Sequence, residues 1–330
     1  IYDKIAVSPG MFRRCTGCIR FRKRLVNENS PLEVVEEGGV GADGLCWCGG
    51  WTMTSIIADF HVHTHLSPCG DAEATAAAML ERARSKGLAA IGFADHITPE
   101  PVPGCPFYDG QQLSRLDDLH SELGESGSSG DLDVWVGCEA DYTLAGPRCV
   151  DRELLTRVDH VIGAASHFHL PVAPRPATES PGDKAALMVR MAREMLVMPG
   201  ISVWAHPFDC SEMRPLAPIM AAIERATRVA LINLARANEV AVEINGGPVQ
   251  YAAYREATAD FFRLALALGA RFTITADAHH PDDLDRLDLA LEWARSLGIL
   301  DERLLTADEL RARQARKQRG LSFEEVSCVS

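Results

Sequence analysis

From Ser55 onward the chain repeats one unit: a short apolar run, a residue able to hold a metal or a proton, then a stretch with helical character. The apolar runs are Ile56–Phe60, Ala89–Phe93, Val134–Val136, Val158–Gly163, Ile201–Ala205, Val240–Ile244 and Arg271–Thr275. Their length and composition are those of buried strands. Between the first two lies DAEATAAAMLERARSKGL, which reads as a helix with Asp71 as N-cap, an alanine-rich amphipathic body and Gly87 as its stop. The rhythm returns through Ala185–Leu196, Pro218–Asn238 and Ala257–Leu268. Repeated βα units force parallel strands with helices covering the outside, which makes this an α/β chain.

The residues at the carboxyl end of each run carry the chemistry. After the first comes His61-Val62-His63, after the second Asp95-His96, after the third Glu139, and after the fourth His167. After the fifth comes His206-Pro207, after the sixth Asn245-Gly246-Gly247, and after the seventh Asp277-Ala278-His279. In a parallel barrel the carboxyl ends of all strands open on one face, so these residues converge although the first and last are far apart in sequence. Six histidines, one glutamate and one aspartate exceed the needs of a single tetrahedral ion and suit two or three. The run DFHVHTH would also put His61, His63 and His65 on one face if the extended conformation persisted. The other histidines read differently. His120 sits in a charged helical stretch and is expected at the surface; His160, inside the fourth run, is expected buried and hydrogen-bonded; His65, His169 and His280 flank the ligand motifs.

At 330 residues and 47% hydrophobic content the chain can bury a barrel-sized core. A formal net charge of -13 disfavours nucleic acid as partner and points to a small molecule. No apolar run reaches the roughly eighteen residues of a membrane span, and no signal-peptide pattern opens the chain, so a cytoplasmic, membrane-free protein is expected. The first 54 residues differ in character. They hold six basic residues between Arg13 and Arg24 without an acid, then the glycine-rich GGVGADGLCWCGG. Cys15, Cys18, Cys46 and Cys48 could form a small zinc site. The plainer readings are a disordered extension, or a natural start at Met53. The expected organisation is therefore residues 1–54 as an N-terminal extension and 55–330 as a barrel with C-terminal helices.

DFHVHTH, IGFADH, GCEADY, VIGAASHFH, AHP, VEINGG and TADAH, in that order, resemble the motifs of the PHP (polymerase and histidinol phosphatase) superfamily, over about Ile56 to Gly298. The pair GFADH and GCEADY is most similar to the histidinol-phosphatase branch. The resemblance implies a distorted seven-stranded parallel (β/α)7 TIM-like barrel. It also implies a multinuclear centre of two or three divalent ions (Zn, Mn or Fe) held by His61, His63, His96, Glu139, His167, His206, Asp277 and His279. The implied activity is hydrolysis of a small phosphorylated metabolite, a phosphate monoester, by a metal-bound hydroxide. Catalytic roles fall to Glu139, Asp277 and His279, with Glu139 bridging two ions and Asp277 orienting the nucleophile. The resemblance leaves one place open: the family usually supplies a further histidine or aspartate after H-x-H, where this chain offers Cys69 or Asp71.

The chemistry is consistent with that expectation. A phosphomonoester dianion repels a nucleophile, so its hydrolysis needs cations that neutralise its oxygens and generate hydroxide near neutral pH. Arg148, Arg214 and Arg255 come shortly after motif strands and could clamp the phosphate. The alternatives are a PHP-type enzyme acting on nucleotide or sugar phosphates, an amidohydrolase-type metal hydrolase, and a non-catalytic PHP binding module. An amidohydrolase would bridge its metals with a lysine, and no lysine stands near a strand end here.

Overall fold

The structure, a computed structural model, describes residues 58–126, 130–143, 146–147, 151–209 and 213–320. The expected N-terminal extension with its four cysteines, and Arg148, lie outside the described residues.

Seven parallel strands run around a barrel: β1 (Ala58–Val62), β2 (Ala90–Phe93), β3 (Asp133–Thr143), β5 (His160–Ala164), β6 (Val203–Ala205), β7 (Ala241–Asn245) and β8 (Phe272–Thr275), hydrogen-bonded in that order. A two-residue strand, β4 (Gly146–Pro147), pairs antiparallel with the end of β3. Between β8 and β1 the barrel closes without a regular ladder. A single bridge joins Val62 to Ala278, His63 N–H donates to the Ala278 carbonyl at 2.8 Å, and Asp59 accepts from Ala276 N–H at 3.0 Å. Irregular closure at this seam is the distortion expected of the barrel.

Helices fill the crossovers. α1 (Ala76–Ser85) buries Ala76, Met79, Leu80 and Ala83, the i, i+3, i+4, i+7 stripe of an amphipathic helix. Its N-cap is Thr75, whose hydroxyl accepts from Ala78 N–H at 3.2 Å, not the expected Asp71. Asp71 instead turns the preceding loop by accepting from Glu73 N–H at 2.8 Å. Gly87 ends the helix as expected, at φ +69°. After α2 (Ser114–Glu125) and α3 (Arg152–Arg157), α4 (Pro181–Leu196) starts four residues before the expected Ala185, because Ser180 caps it and Pro181 fits its first turn. The expected helix Pro218–Asn238 is two, α5 (Leu216–Ala222) and α6 (Arg225–Ala237), broken where Ile223 turns extended. A short turn, α7 (Gly246–Val249), precedes α8 (Ala252–Ala267), whose buried face carries Tyr254, Phe261 and Phe262. Each fully buried phenylalanine contributes about 1.5–3 kcal/mol. α9 (Arg286–Ser296) comes after β8 and packs Trp293 on Phe262, ring centroids 5.0 Å apart.

α10 (Ala307–Gly320) belongs to the opposite end of the barrel from the expected ligands. Leu305 and Leu310 join Phe60, Ala90, Trp135, Ile162, Val203 and Ala241 in an interior apolar cluster. His160 lies in that interior, fully buried, with Nε2 at 2.8 Å from the Phe60 carbonyl, as its sequence context led us to expect. Its ring fits only because Gly92 and Gly137 lack side chains: a Cβ would come within 2.8 Å and 2.3 Å of His160 Cε1, respectively. Gly92 and Gly137 are therefore demanded by close approach. The barrel floor is filled mainly by hydrocarbon, with the His160 imidazole and a buried Ser202 hydroxyl that donates to Gln314 of α10 as its polar groups, whereas the cluster of histidines and carboxylates lies at the other end.

Candidate metal centre

All eight expected ligands meet at the carboxyl ends of the strands. Glu139 is at their middle, and its two oxygens face different imidazoles. Oε2 lies 3.2 Å from His61 Nε2, 3.3 Å from His63 Nε2 and 3.4 Å from His96 Nε2. Oε1 lies 2.9 Å from His206 Nε2 and 3.6 Å from His167 Nε2. Asp277 Oδ1 approaches His61 Nε2 at 3.4 Å and His63 Nε2 at 3.3 Å, and His279 stacks on His63 with centroids 4.5 Å apart.

Glu139 lies within β3, not after it as expected. The strand runs eleven residues because Gly137–Asp141 find new partners in β5 once pairing with β2 has ended at Val136. β1, by contrast, ends at Val62, so the extended conformation does not carry His65 to the cluster. His65 Nε2 meets Glu122 at 3.1 Å instead. His280 approaches Glu73 at 3.4 Å, His120 is exposed, and the His169 ring lies 5.2 Å from that of His167. Of the described arginine candidates, Arg214 lies over the Tyr251 ring and Arg255 donates to the Val249 carbonyl, so neither is committed to the cluster.

Behind the eight stands a set of groups of which only Asp95 and Asn245 stand out in the sequence. His61 Nδ1 is 2.7 Å from Glu243, His96 Nδ1 is 2.8 Å and His167 Nδ1 2.5 Å from Asp141, and His206 Nδ1 is 2.8 Å from Ser166 Oγ. Tyr108 O–H also donates to Asp141 at 2.6 Å. Asp95 accepts from Thr64 N–H and O–H at 2.7 and 2.6 Å and fixes the turn beside His63. Alternation held the signal for Asp141: two residues after Glu139 on one strand, it shares the inward face. Glu243 and Asn245 share a face of β7 in the same way.

These partners decide what the cluster can hold. A carboxylate only accepts, so Glu243 and Asp141 require N–H at Nδ1 of His61, His96 and His167. The neutral form of each ring then presents a lone pair at Nε2, aimed at carboxylate oxygens that are lone pairs too. Such acceptors repel unless a cation, a metal ion or a proton, lies among them: against burial, Asp277, Glu243 and Glu139 hold the His61 imidazole, and Asp141 and Glu139 that of His96, well above the ordinary range. The 3.2–3.4 Å separations around Glu139 Oε2 and Asp277 Oδ1 match the edge of a tetrahedron with metal–nitrogen bonds of about 2.0–2.1 Å. His61–Glu139–His206, His61–His63–Asp277, His96–Asp141–His167 and His63–Cys69–His96 each bring ligand atoms within 4.8 Å of one another. The donor set fits divalent ions.

Charge agrees with geometry. Burial alone would raise the Glu139 carboxyl, but His61, His167 and His96 hold it well below the usual carboxylate range. Asp277, opposed by the same burial, is held down by His61, His63 and His279. His206 is pushed up to about 9: burial opposes its charge, and the hydrogen bond and charge of Glu139 outweigh it. Both carboxylates are therefore ionised although largely buried, where their field is strong. Two backbone outliers lie at expected ligands, His206 at φ +26° and Asp277 at φ +53°. Neither is glycine, and strain held at such positions is characteristic of sites. The centre is open on one side, where His167, Asp277 and His279 are partly exposed.

The PHP domain family model matches residues 59–245, more than half of the chain. The chain belongs to the PHP domain family. A probable phosphatase of Vibrio parahaemolyticus is 27% identical over 259 residues, covering 78% of this chain and 91% of its own. A probable histidinol-phosphatase of Deinococcus radiodurans is 31% identical over 118 residues, 34% of this chain and 43% of its own. Among solved structures, the fold is shared with histidinol phosphate phosphatase of Lactococcus lactis, determined with zinc, L-histidinol and phosphate. The TM-score is 0.51 at 15% identity, covering 74% of this chain and 94% of that one. The chain is an enzyme of the metal-dependent phosphatase and phosphoesterase class. No described helix is long and apolar enough to cross a membrane.

Proposed function

We propose that this enzyme hydrolyses a small phosphorylated metabolite, a phosphate monoester of the histidinol-phosphate kind, at a centre of two or three zinc, manganese or iron ions. The observation that carries the reading is the position of Glu139, one oxygen toward His61, His63 and His96 and the other toward His206 and His167, which suits a carboxylate shared between ions. His61, His63, His96, Glu139, His167, His206, Asp277 and His279 would hold the ions. When bound, the ions supply hydroxide near neutral pH and neutralise the phosphate oxygens.

The chain's own groups do the rest. Glu243, Asp141 and Ser166 fix the ring orientations of four histidines, so that little reorganisation accompanies binding. Asp277, reachable from the mouth, orients the attacking water, and its own carboxylate is steadied by Asn245 Nδ2 at 3.1 Å. His279 holds its Nδ1 proton on the Asp277 carbonyl at 2.9 Å, which leaves Nε2 as the ring atom turned to ligand or leaving group. The amidohydrolase alternative needs a lysine at the centre. Among the described residues Lys86 pairs with Asp285 and Asp288, Lys184 with Glu179, and Lys317 with the Ile201 carbonyl, all elsewhere.

The test is turnover of p-nitrophenyl phosphate, then of a panel of phosphorylated metabolites, with and without added zinc or manganese. Metal-dependent phosphate release, strongest on a small phosphate monoester, is expected. Activity on amides or lactones without phosphate release would refute the reading.

A further inference from the structure

Cys69 is half-buried, in the loop between β1 and α1, and its Sγ belongs to a group with the ring nitrogens of His63 and His96, all within 4.8 Å of one another. The cysteine is not a bystander carried there by a flexible turn. Ser67 N–H donates to the Thr64 carbonyl and Gly70 N–H to the Ser67 carbonyl, both at 3.0 Å, and Asp71 N–H donates to the His279 carbonyl at 2.8 Å. The loop packs so closely that a Cβ on Gly70 would lie 1.9 Å from the Thr64 carbonyl oxygen. Ser67 Oγ, itself buried, lies 3.2 Å from Cys69 Sγ and 3.4 Å from His96 N. Both histidines aim a ring nitrogen inward: His96 gives Nδ1 to Asp141, and the two rings stack with centroids 5.0 Å apart at 20°. The other candidate for this place, Asp71, is exposed and spends its carboxylate on the Glu73 N–H.

We propose that Cys69 is itself a metal ligand, completing one position of the centre with His63 and His96 and making that position selective for a thiophilic ion such as zinc. The proposal rests on the multinuclear reading of the site and adds to it a sulfur donor that the eight nitrogen and oxygen ligands lack. Thiolate is a soft donor and favours zinc, cobalt and iron(II) over manganese or magnesium. On metal uptake the Sγ–H bond breaks, its proton passes to solvent, and a sulfur–metal bond forms; no electron changes hands.

The experiment is cobalt(II) titration of the chelator-treated full chain, read by absorption. Wild-type protein is expected to show visible d–d bands from the centre together with a near-ultraviolet thiolate-to-cobalt charge-transfer band. Cys69→Ser and Cys69→Asp should lose the charge-transfer band at this position while the visible bands persist. Visible bands with no charge-transfer band, or with one unchanged in Cys69→Ser, would overturn the proposal and leave the metal centre standing. No visible bands at all would refute both. A second measurement needs no variant: peptide mapping after iodoacetamide treatment should find Cys69 protected in zinc-loaded protein and alkylated after chelation. Equal labelling in the two states would overturn the proposal.

Discussion

Asp141 is the perturbation that separates an organised centre from a chance gathering of histidines. Three donors converge on its carboxylate: His96 Nδ1 at 2.8 Å, His167 Nδ1 at 2.5 Å and the Tyr108 hydroxyl at 2.6 Å. Asp141→Asn keeps the shape but exchanges one acceptor oxygen for an N–H2 donor. One of the two imidazoles must then face a donor with its own N–H. It either rotates or shifts its proton to Nε2, the atom that points at Glu139, and in both cases the cluster loses a ligand lone pair. Loss of such an orienting partner weakens metal binding by roughly 10–100-fold, or about 1.4–2.8 kcal/mol. Competition for zinc against a chromophoric chelator measures this, with thermal unfolding of the metal-free protein as a check that the barrel is intact. Zinc affinity within about twofold of wild type would refute the reasoning, because His96 and His167 would then not depend on Asp141 for their orientation.

Three other perturbations probe the same geometry. Glu139→Gln removes the charge between the two sets of imidazoles, so metal content and turnover should fall together; wild-type values of both would take Glu139 out of the centre. His160 is held at about 4, because burial opposes its charge more than the Phe60 carbonyl supports it. The unfolded chain therefore takes up a proton that the folded chain refuses as pH falls from about 6.5 to about 4. The stability this group contributes is complete above that window and declines by about 3 kcal/mol across it. The advantage of metal-free wild type over His160→Gln, measured by urea unfolding, should shrink by that amount, and a difference independent of pH would contradict the assignment. A chain beginning at Met53 should keep metal content and turnover within about twofold of the full chain, whereas insolubility or metal loss would give the N-terminal cysteines a structural role.

Much of this molecule is legible in its sequence because a parallel barrel writes one simple code. Apolar runs become strands, and the residues at their carboxyl ends collect at one rim; all eight expected ligands are there. The sequence was less informative where tertiary pairing overrides local pattern. β3 extends through Asp141 because β5 offers it hydrogen bonds, and nothing local announces that. The break at Ile223 divides a stretch whose composition is helical throughout, and Thr75 outcompetes Asp71 as cap because the loop needs Asp71 for its own turn. His65 fell out of the cluster because the strand ends at Val62. Alternation tells which face Asp141 and Glu243 share, but their orienting role is hidden for a different reason. A carboxylate inside an apolar strand gives no sign of its partner until the fold brings an imidazole 26, 45 or 182 positions away against it.

The central claim is that several ions share one carboxylate-bridged site. Elemental analysis of the full chain purified without chelator, with phosphate-ester turnover measured on the same sample, tests it most directly. More than one equivalent of zinc, manganese or iron per chain is expected, and turnover should fall as chelation lowers that number. One equivalent or less at full activity would contradict the account.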